Sequence, residues 1–549
     1  MEHLSAARRG AALLAAVTAA AMLCACSKVG SSVGVIPRAH PGQVRIVGAG
    51  SIDSLLPELA GIQSAVDLGM FWGGWLFLVN DHGDLEPDLA TTIPSPQNGG
   101  ISADGKTITY HLRTGVKWQD GAPFGARDVI FSWHAIMNPA NNVLSRSGFD
   151  DIASMDAPND HTVIVHLKRP YAPAIAQFFG PGPDPMCILP AHILADLPDI
   201  NHAAYDTKPI GTGPFIVQSY QQSTGVVLIA NPNYWRGPPK LHEIDYLLVP
   251  DANTRAVMMK TGEADLYYDP PNSLLPDLSA IDGVHVLHTT FNEYWYLVFN
   301  TKHPPLDDVR VRRAISMGTD REYIVRTVMH GAAAPAQGDQ LPGTWAYDPT
   351  VKAPPYDPVA ARALLDADGW HAGADGIRSK GGTRLAIVFA YSSGRGDSVR
   401  LAPIFQSMMR AIGVDVQTKS YPTSLFEAAA ADGGILNSGK FDVAHDGWIS
   451  GVDPDDDTLY ACDQVPPAGY NHAFFCDKRI DEQESIALTH YDRPTRARAY
   501  SRIDSLLSED APYDFLYWTK RDDAVRNTLH GYRPAPSVTE FWNSWQWSQ

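Results

Sequence analysis

The stretch NEYWYLVFNTKHPPLDDVRVRR, residues 292–313, decides how the chain is built. Residues 294–299 (YWYLVF) are a short aromatic and β-branched run, the pattern of a buried strand. The polar exit that follows ends in Pro304 and Pro305, which can neither prolong a strand nor sit inside a helix. Leu306, Asp307 and Asp308 then open a helix, with acids in a first turn where the helix dipole favours them. Val309, Arg312, Arg313 and Ile315 give that helix one apolar and one charged side. A strand that stops where new helical structure starts is what a crossing between two lobes looks like.

Working outward, a chain of 549 residues exceeds the size at which a single core keeps growing, so two or three lobes are expected. A hydrophobic fraction of 44% with 13 Trp and 22 Tyr excludes disorder. The net charge of -18, without any Lys/Arg-rich run, excludes a nucleic-acid role, which needs a basic face.

Residues 1–26 read as an export signal: Arg8 and Arg9, then an apolar run over 11–23, then small residues. The run is too short for a comfortable membrane span. The segment LCAC at 23–26 resembles a bacterial lipobox, with Cys26 the residue diacylated after cleavage. Residues 27–41 follow as a polar tether without periodicity. The expectation is an exported protein held at a membrane by lipid alone. Three cysteines remain. In an exported chain, two that lie close in sequence point to a disulfide, so Cys462 is paired with Cys476 and Cys187 is left as a small buried apolar residue.

The strongest local pattern lies at 104–137. Turns at Asp104-Gly105, Thr114-Gly115 and Asp120-Gly121 separate an alternating run (107–112) from a second short strand (116–118). Residues 128–137 are helical, with Val129, Trp133, Ile136 and Met137 on one stripe, stopped by Asn138-Pro139. This predicts a hairpin packed on a helix. Further on, 319–322 (TDRE) predicts a capping box for a helix ending at Gly331, and Asp357-Pro358 starts another that stops at Gly369.

LEPDLA (85–90) and DGKTITYHLRTGVKWQDGAPFGARDVIFSW (104–133) resemble the family 5 extracellular solute-binding proteins, the peptide, nickel and oligosaccharide receptors of ABC importers. The resemblance continues through GTGPF (211–215), NPNYW (231–235), PDANTRAVMMKTGEADL (250–266), YDPVAARALLDADGW (356–370) and FLYWTKRDDAVRN (515–527). It implies an α/β fold with mixed α+β lobes: a periplasmic-binding-protein-like clamshell of two lobes joined by hinge strands, plus an inserted third lobe. Lobe I takes residues 42–78, 205–290 and 515–549, lobe II the insert 79–204, and lobe III 291–514. Crossing segments near 294–299 and 516–520 are the implied hinges.

Competing chemistries fail on particular residues. GILNSGK (434–440) has Phe441 where a phosphate loop needs Ser or Thr. DPDDD (453–457) has Thr458 and Gln464 where an EF-hand needs Gly and Glu. Nineteen histidines include no metal-ligand spacing, and no nucleophile elbow occurs, so neither a metal, a cofactor nor catalysis is expected.

The resemblance also implies a site. Arg395 follows the strand at 385–391, where some dipeptide receptors keep an arginine for the ligand carboxylate, and a guanidinium suits that task. Peptide receptors carry an aspartate three residues after the Trp of a Gly-Trp pair. Here, after Trp448, that position is Gly451, and Asp453 is the nearest acid, either displaced into the role or a turn residue before Pro454. Trp448 with Tyr294 or Tyr296 is expected to line the apolar part of the cleft. The expected function is a monomeric receptor that delivers short peptides to an ABC permease. A neutral oligosaccharide, a nickel chelate or an exported hydrolase are the competing readings.

Overall fold

The aromatic run at 294–299 is the second half of a sixteen-residue strand, Val284–Phe299. At about 3.3 Å per residue, such a strand extends roughly 50 Å, enough to run through both halves of the molecule. Its first half is largely exposed or half-buried and its last six residues, 294–299, are buried. It pairs antiparallel with Tyr513–Arg526, from Val284 opposite Arg526 to Val298 opposite Tyr513. The ladder is irregular between Thr290 and Tyr294 and again between Trp295 and Tyr296, the kind of break that bends a strand pair.

The computed structural model describes residues 40–48, 52–60, 63–143, 145–180, 185–201, 204–536 and 540–549. The expected export signal, Cys26 and nearly all of the expected tether lie outside the described residues.

Among the described residues the two long strands sit in the middle of an eleven-stranded sheet. Leu266–Tyr267, Gln43–Gly48, Glu243–Leu248, Gly225–Ala230 and Phe215–Gln221 continue it on one side, and Val443–Ile449, Ala386–Ser392 and Asp415–Tyr421 on the other. A first core gathers Val44, Ile46, Phe71, Trp72, Phe215, Tyr246, Leu266 and Val525. At the other end the sheet is covered on both faces, because successive side chains of a strand point opposite ways. Trp295, Leu297 and Phe299 join Ile315, Phe389 and Phe405 on one face, while Tyr294, Tyr296 and Val298 join Tyr500, Tyr513 and Phe515 on the other. Since Val525 belongs to the first core and Leu516 to the second, one continuous strand serves two bodies. A separate sheet of Thr107–His111, Thr162–Leu167 and Ile152–Asn159 builds a third core with the helix Ala126–Met137. This is a mixed α/β, two-lobed binding-protein fold with extra strand elements.

Gly211 shows why the GTGPF segment takes its form. A Cβ there would lie 1.5 Å from the Trp72 carbonyl oxygen, so only glycine lets the two backbones meet.

Four local expectations are corrected. Residues 107–112 and 116–118 do not form a hairpin: Thr107–His111 pairs with Thr162–Leu167, and Lys117 bridges only to Pro123. The turn signals were sound, but the long-range partner buries the apolar alternation better. The helix Val309–Gly318 starts after Asp308, whose carboxylate caps the Arg310 N–H, so the acids precede the helix instead of filling its first turn. Arg312 is buried, donating to the carbonyls of Leu306, Asp510 and Ala511, and is no part of a solvated face. The next helix, Arg321–Thr327, is capped by Asp320 rather than Thr319 and ends before Gly331.

Candidate ligand-binding site

A cleft of about 600 Å³ opens between residues 145–177 and the far half of the sheet, within the ~300–1,000 Å³ range of small-ligand sites. Ser145, Ser147, Pro173, Ala176 and Gln177 form one wall. The other comes from Glu293, Trp295 and Tyr296 of the strand Val284–Phe299, the end of Val443–Ile449 and further loops. The walls also touch directly. The Tyr171 hydroxyl is 2.8 Å from Asp455 Oδ2, Ala172 donates its N–H to the Leu488 carbonyl (2.7 Å), and the Tyr491 hydroxyl donates to the Gly105 carbonyl (2.8 Å).

Arg395 lines this cleft at the start of the helix Gly396–Ala411, exposed, with its guanidinium 4.5 Å from the centre of the Trp295 ring. Stacking on an aromatic face holds a guanidinium without using its hydrogen-bond donors. Gly447 lies opposite Trp295 in the ladder, and a Cβ there would come within 2.7 Å of the indole, so the glycine makes room for the ring. Trp448 lines the cleft one residue later, with the Tyr470 ring 5.4 Å from its own.

Asp453 also lines the cleft, but both its oxygens accept from Arg496, at 2.6 and 2.5 Å. Arg496 is only 5% exposed and Asp453 13%, so this is a buried bidentate pair, not a free counter-charge. Tyr294 is corrected outright. It is 1% exposed, packs edge-on to Phe515 with its hydroxyl 3.3 Å from that of Tyr460, and does not line this cleft. Tyr296, on the same face of the strand, reaches the cleft wall and donates to Asp446 Oδ2 at 3.3 Å.

Several lining residues escaped the sequence reading. Glu293 and Trp295 flank Tyr294 along the strand, and Glu427, Asp446, Asp455 and His472 come from distant loops and the neighbouring strand. Burial pushes the Glu293 carboxyl up, against the Thr519 hydroxyl and the Arg395 charge, which favour ionisation. Burial likewise raises Glu427, with Arg395 opposing and the Asp446 charge adding to the rise. Burial first, then repulsion from Asp457 and Asp453, holds Asp455 well above the usual carboxylate range. Behind Trp295, burial pushes His445 down to about 4, with the Ser398 hydroxyl 2.9 Å from its Nδ1. Residues 453–457 build no calcium loop: no group of His, Cys, Asp or Glu among the described residues is arranged to hold a metal ion.

The fold is that of a two-lobed binding protein, with the cleft on the far half of its sheet. Residues 84–468 match the family described as "Bacterial extracellular solute-binding proteins, family 5 Middle". The "Di/tripeptide-binding protein 2" of Pseudomonas aeruginosa (strain UCBPP-PA14) is 30% identical over 484 residues, covering 84% of this chain and 87% of its own. The "Oligopeptide-binding protein AppA" of Bacillus subtilis (strain 168) is 27% identical over 458 residues, 82% of this chain and 81% of its own. The crystal structure of NikZ from Campylobacter jejuni, in complex with Ni(L-His), superposes with a TM-score of 0.76 at 26% identity, covering 93% of this chain and 100% of NikZ. The chain belongs to family 5 of the bacterial extracellular solute-binding proteins. Its role is that of the substrate-binding receptor of an ABC importer, which binds its solute without transforming it.

Proposed function

We propose that the solute is a short peptide, held between the insert and the far half of the sheet with its carboxylate on Arg395. The observation that carries this is the state of that arginine: stacked on Trp295, facing a cleft of about 600 Å³, and in no ion pair among the described residues. A guanidinium so placed offers two parallel donors to a carboxylate. Trp448 and Tyr296 supply apolar wall. A neutral sugar would leave Arg395 and the facing carboxylates without partners in a desolvated space, at a cost of several kcal/mol.

In this reading lobe I comprises 42–78, 205–290 and 515–549, lobe II 79–204 and lobe III 291–514. The paired strands Val284–Phe299 and Tyr513–Arg526 act as the hinge, bending where their ladder is irregular. Ligand closes the lobes only through its higher affinity for the closed form. The receptor works as a monomer anchored through a diacylated Cys26 and hands its solute to a membrane permease. Among the described residues no helix is long and apolar enough to cross a membrane.

Native mass spectrometry of the protein purified from its own cells tests the ligand class. A co-purified mass that fragments as a peptide is expected, and a carbohydrate or metal chelate in its place overturns it. Loss of palmitate labelling in Cys26→Ala tests the anchor, and retained label refutes it.

A further inference from the structure

The cleft holds more negative charge than a peptide with one free amine needs. Glu293, Glu427, Asp446, Asp453 and Asp455 line it, against Arg395. Asp453 is cancelled by Arg496, and Asp455 is buried with its Oδ1 unpartnered and its Oδ2 beside the Tyr171 hydroxyl. Three carboxylates are left facing one guanidinium. Glu293 already receives the Thr519 hydroxyl (2.9 Å) and lies in the field of Arg395. Glu427 shares the field of Arg395, but its side chain is exposed to the cleft and has no hydrogen-bond or ion-pair partner among the described residues.

The surroundings of Glu427 point the same way. Its backbone carbonyl accepts from Asn437 Nδ2 (3.3 Å), Asn437 Oδ1 is 3.2 Å from His472 Nε2, and His472 Nδ1 is 3.3 Å from Asp446. The chain of bonds ties Glu427 and Asp446 to one patch of wall. On that patch stand Trp448 and Tyr470, the second ring 6.1 Å from His472. Aromatic faces attract a cation through their quadrupole, independently of any carboxylate. Two unrelated features of the same wall therefore select for positive charge.

We propose that the ligand is a basic peptide, whose lysine or arginine side chain enters between Glu427 and Asp446 against Trp448 and Tyr470. The inference rests on the cleft being the peptide site. An ammonium or guanidinium brought there pairs Glu427, whose side chain has no hydrogen-bond or ion-pair partner among the described residues, and Arg395 remains for the carboxylate end. Peptides with an acidic side chain meet like charge on the same wall.

Calorimetry on the full soluble chain, freed of bound ligand, tests this with tripeptides of alanine carrying one Lys, Gln or Glu at each position in turn. The best lysine peptide is expected to bind at least tenfold tighter than its glutamine counterpart, and the glutamate peptide weaker still. Amino-terminal acetylation separates the side chain from the α-ammonium. The Lys-to-Gln ratio survives acetylation if the side chain is what is recognised, and its collapse overturns the proposal. Glu427→Gln, on an exposed side chain that the fold does not need, should reduce the ratio severalfold while leaving the melting temperature unchanged. Equal affinity for lysine and glutamine peptides overturns the inference and leaves the peptide receptor standing. Failure of every peptide to bind overturns both.

Discussion

Asp453→Asn separates a structural role for this carboxylate from a ligand-binding one. In the structure both Asp453 oxygens are held by Arg496, which also donates through Nε to the Ala487 carbonyl at 2.7 Å and contacts the Tyr500 hydroxyl at 3.1 Å. Removing one partner of a buried pair leaves the other charge uncompensated, at about 3–5 kcal/mol. Ionisation of a neighbouring acid, Asp455 or Asp456, which burial holds well above the usual carboxylate range, would recover part of that. The lower end, roughly 3 kcal/mol, is therefore expected, and at about 1 °C per kcal/mol for a chain of this length it lowers Tm by ~3 °C. Differential scanning fluorimetry without ligand reads the shift, and calorimetry reads peptide affinity below the new transition. An unchanged Tm with abolished binding would refute the reasoning, because Asp453 would then be holding the ligand and not Arg496.

Other perturbations give distinct readouts. Arg395→Ala should cost about 1.5–3 kcal/mol of peptide binding, the worth of hydrogen bonds to a charged group, with no loss of stability, and unchanged affinity by calorimetry excludes the carboxylate clamp. Glu58 is fully buried, its carboxyl pushed by burial from 4.5 up to about 7, with Cys187 beside it. Its folded pKa exceeds the unfolded one, so it favours the folded state while protonated and costs stability as pH rises from about 4.5 to 7. Glu58→Gln should thus gain little at pH 4.5 and about 3 kcal/mol above pH 7 in urea melts, and a pH-independent effect contradicts this. Cys462 and Cys476, 14 residues apart, are joined by a disulfide that closes the loop carrying Tyr470 and His472. Replacing both by alanine should cost about 3 kcal/mol on the chain-entropy argument and weaken peptide binding, and equal stability in urea melts counts against it.

What the sequence made legible follows from how local each signal is. The buried half of Val284–Phe299 stands out because 294–299 is apolar without interruption. The half before it, with His285, His288, Thr289 and Thr290, is exposed or half-buried and lacks that density, so the strand looked less than half its length. The helix after Asp357 was legible from its Asp-Pro start and that after Asp308 from its acids, although those were read into the first turn and Arg312 looked solvated because its carbonyl partners at 510 and 511 lie about two hundred residues on. In the site, Arg395 and Trp448 are marked by the strand and Gly-Trp pattern that precede them. Asp453 carried a similar mark, but its partner Arg496 comes from a helix 43 residues away. Glu427 and Tyr470 carry no local mark: only the fold brings their loops to the wall that Trp448 occupies. Tyr294 was misplaced for a subtler reason: it faces the same way as Tyr296, but its hydroxyl meets Tyr460 inside the core, whereas that of Tyr296 meets Asp446 on the cleft wall.

Small-angle scattering of the purified chain, with and without a lysine-containing tripeptide and followed by mass analysis of the recovered peptide, addresses the central claim most directly. Closure of two lobes about a strand hinge predicts a smaller radius of gyration with ligand and recovery of the peptide at its original mass. A profile unchanged at saturating peptide, or a peptide recovered as fragments, would contradict it.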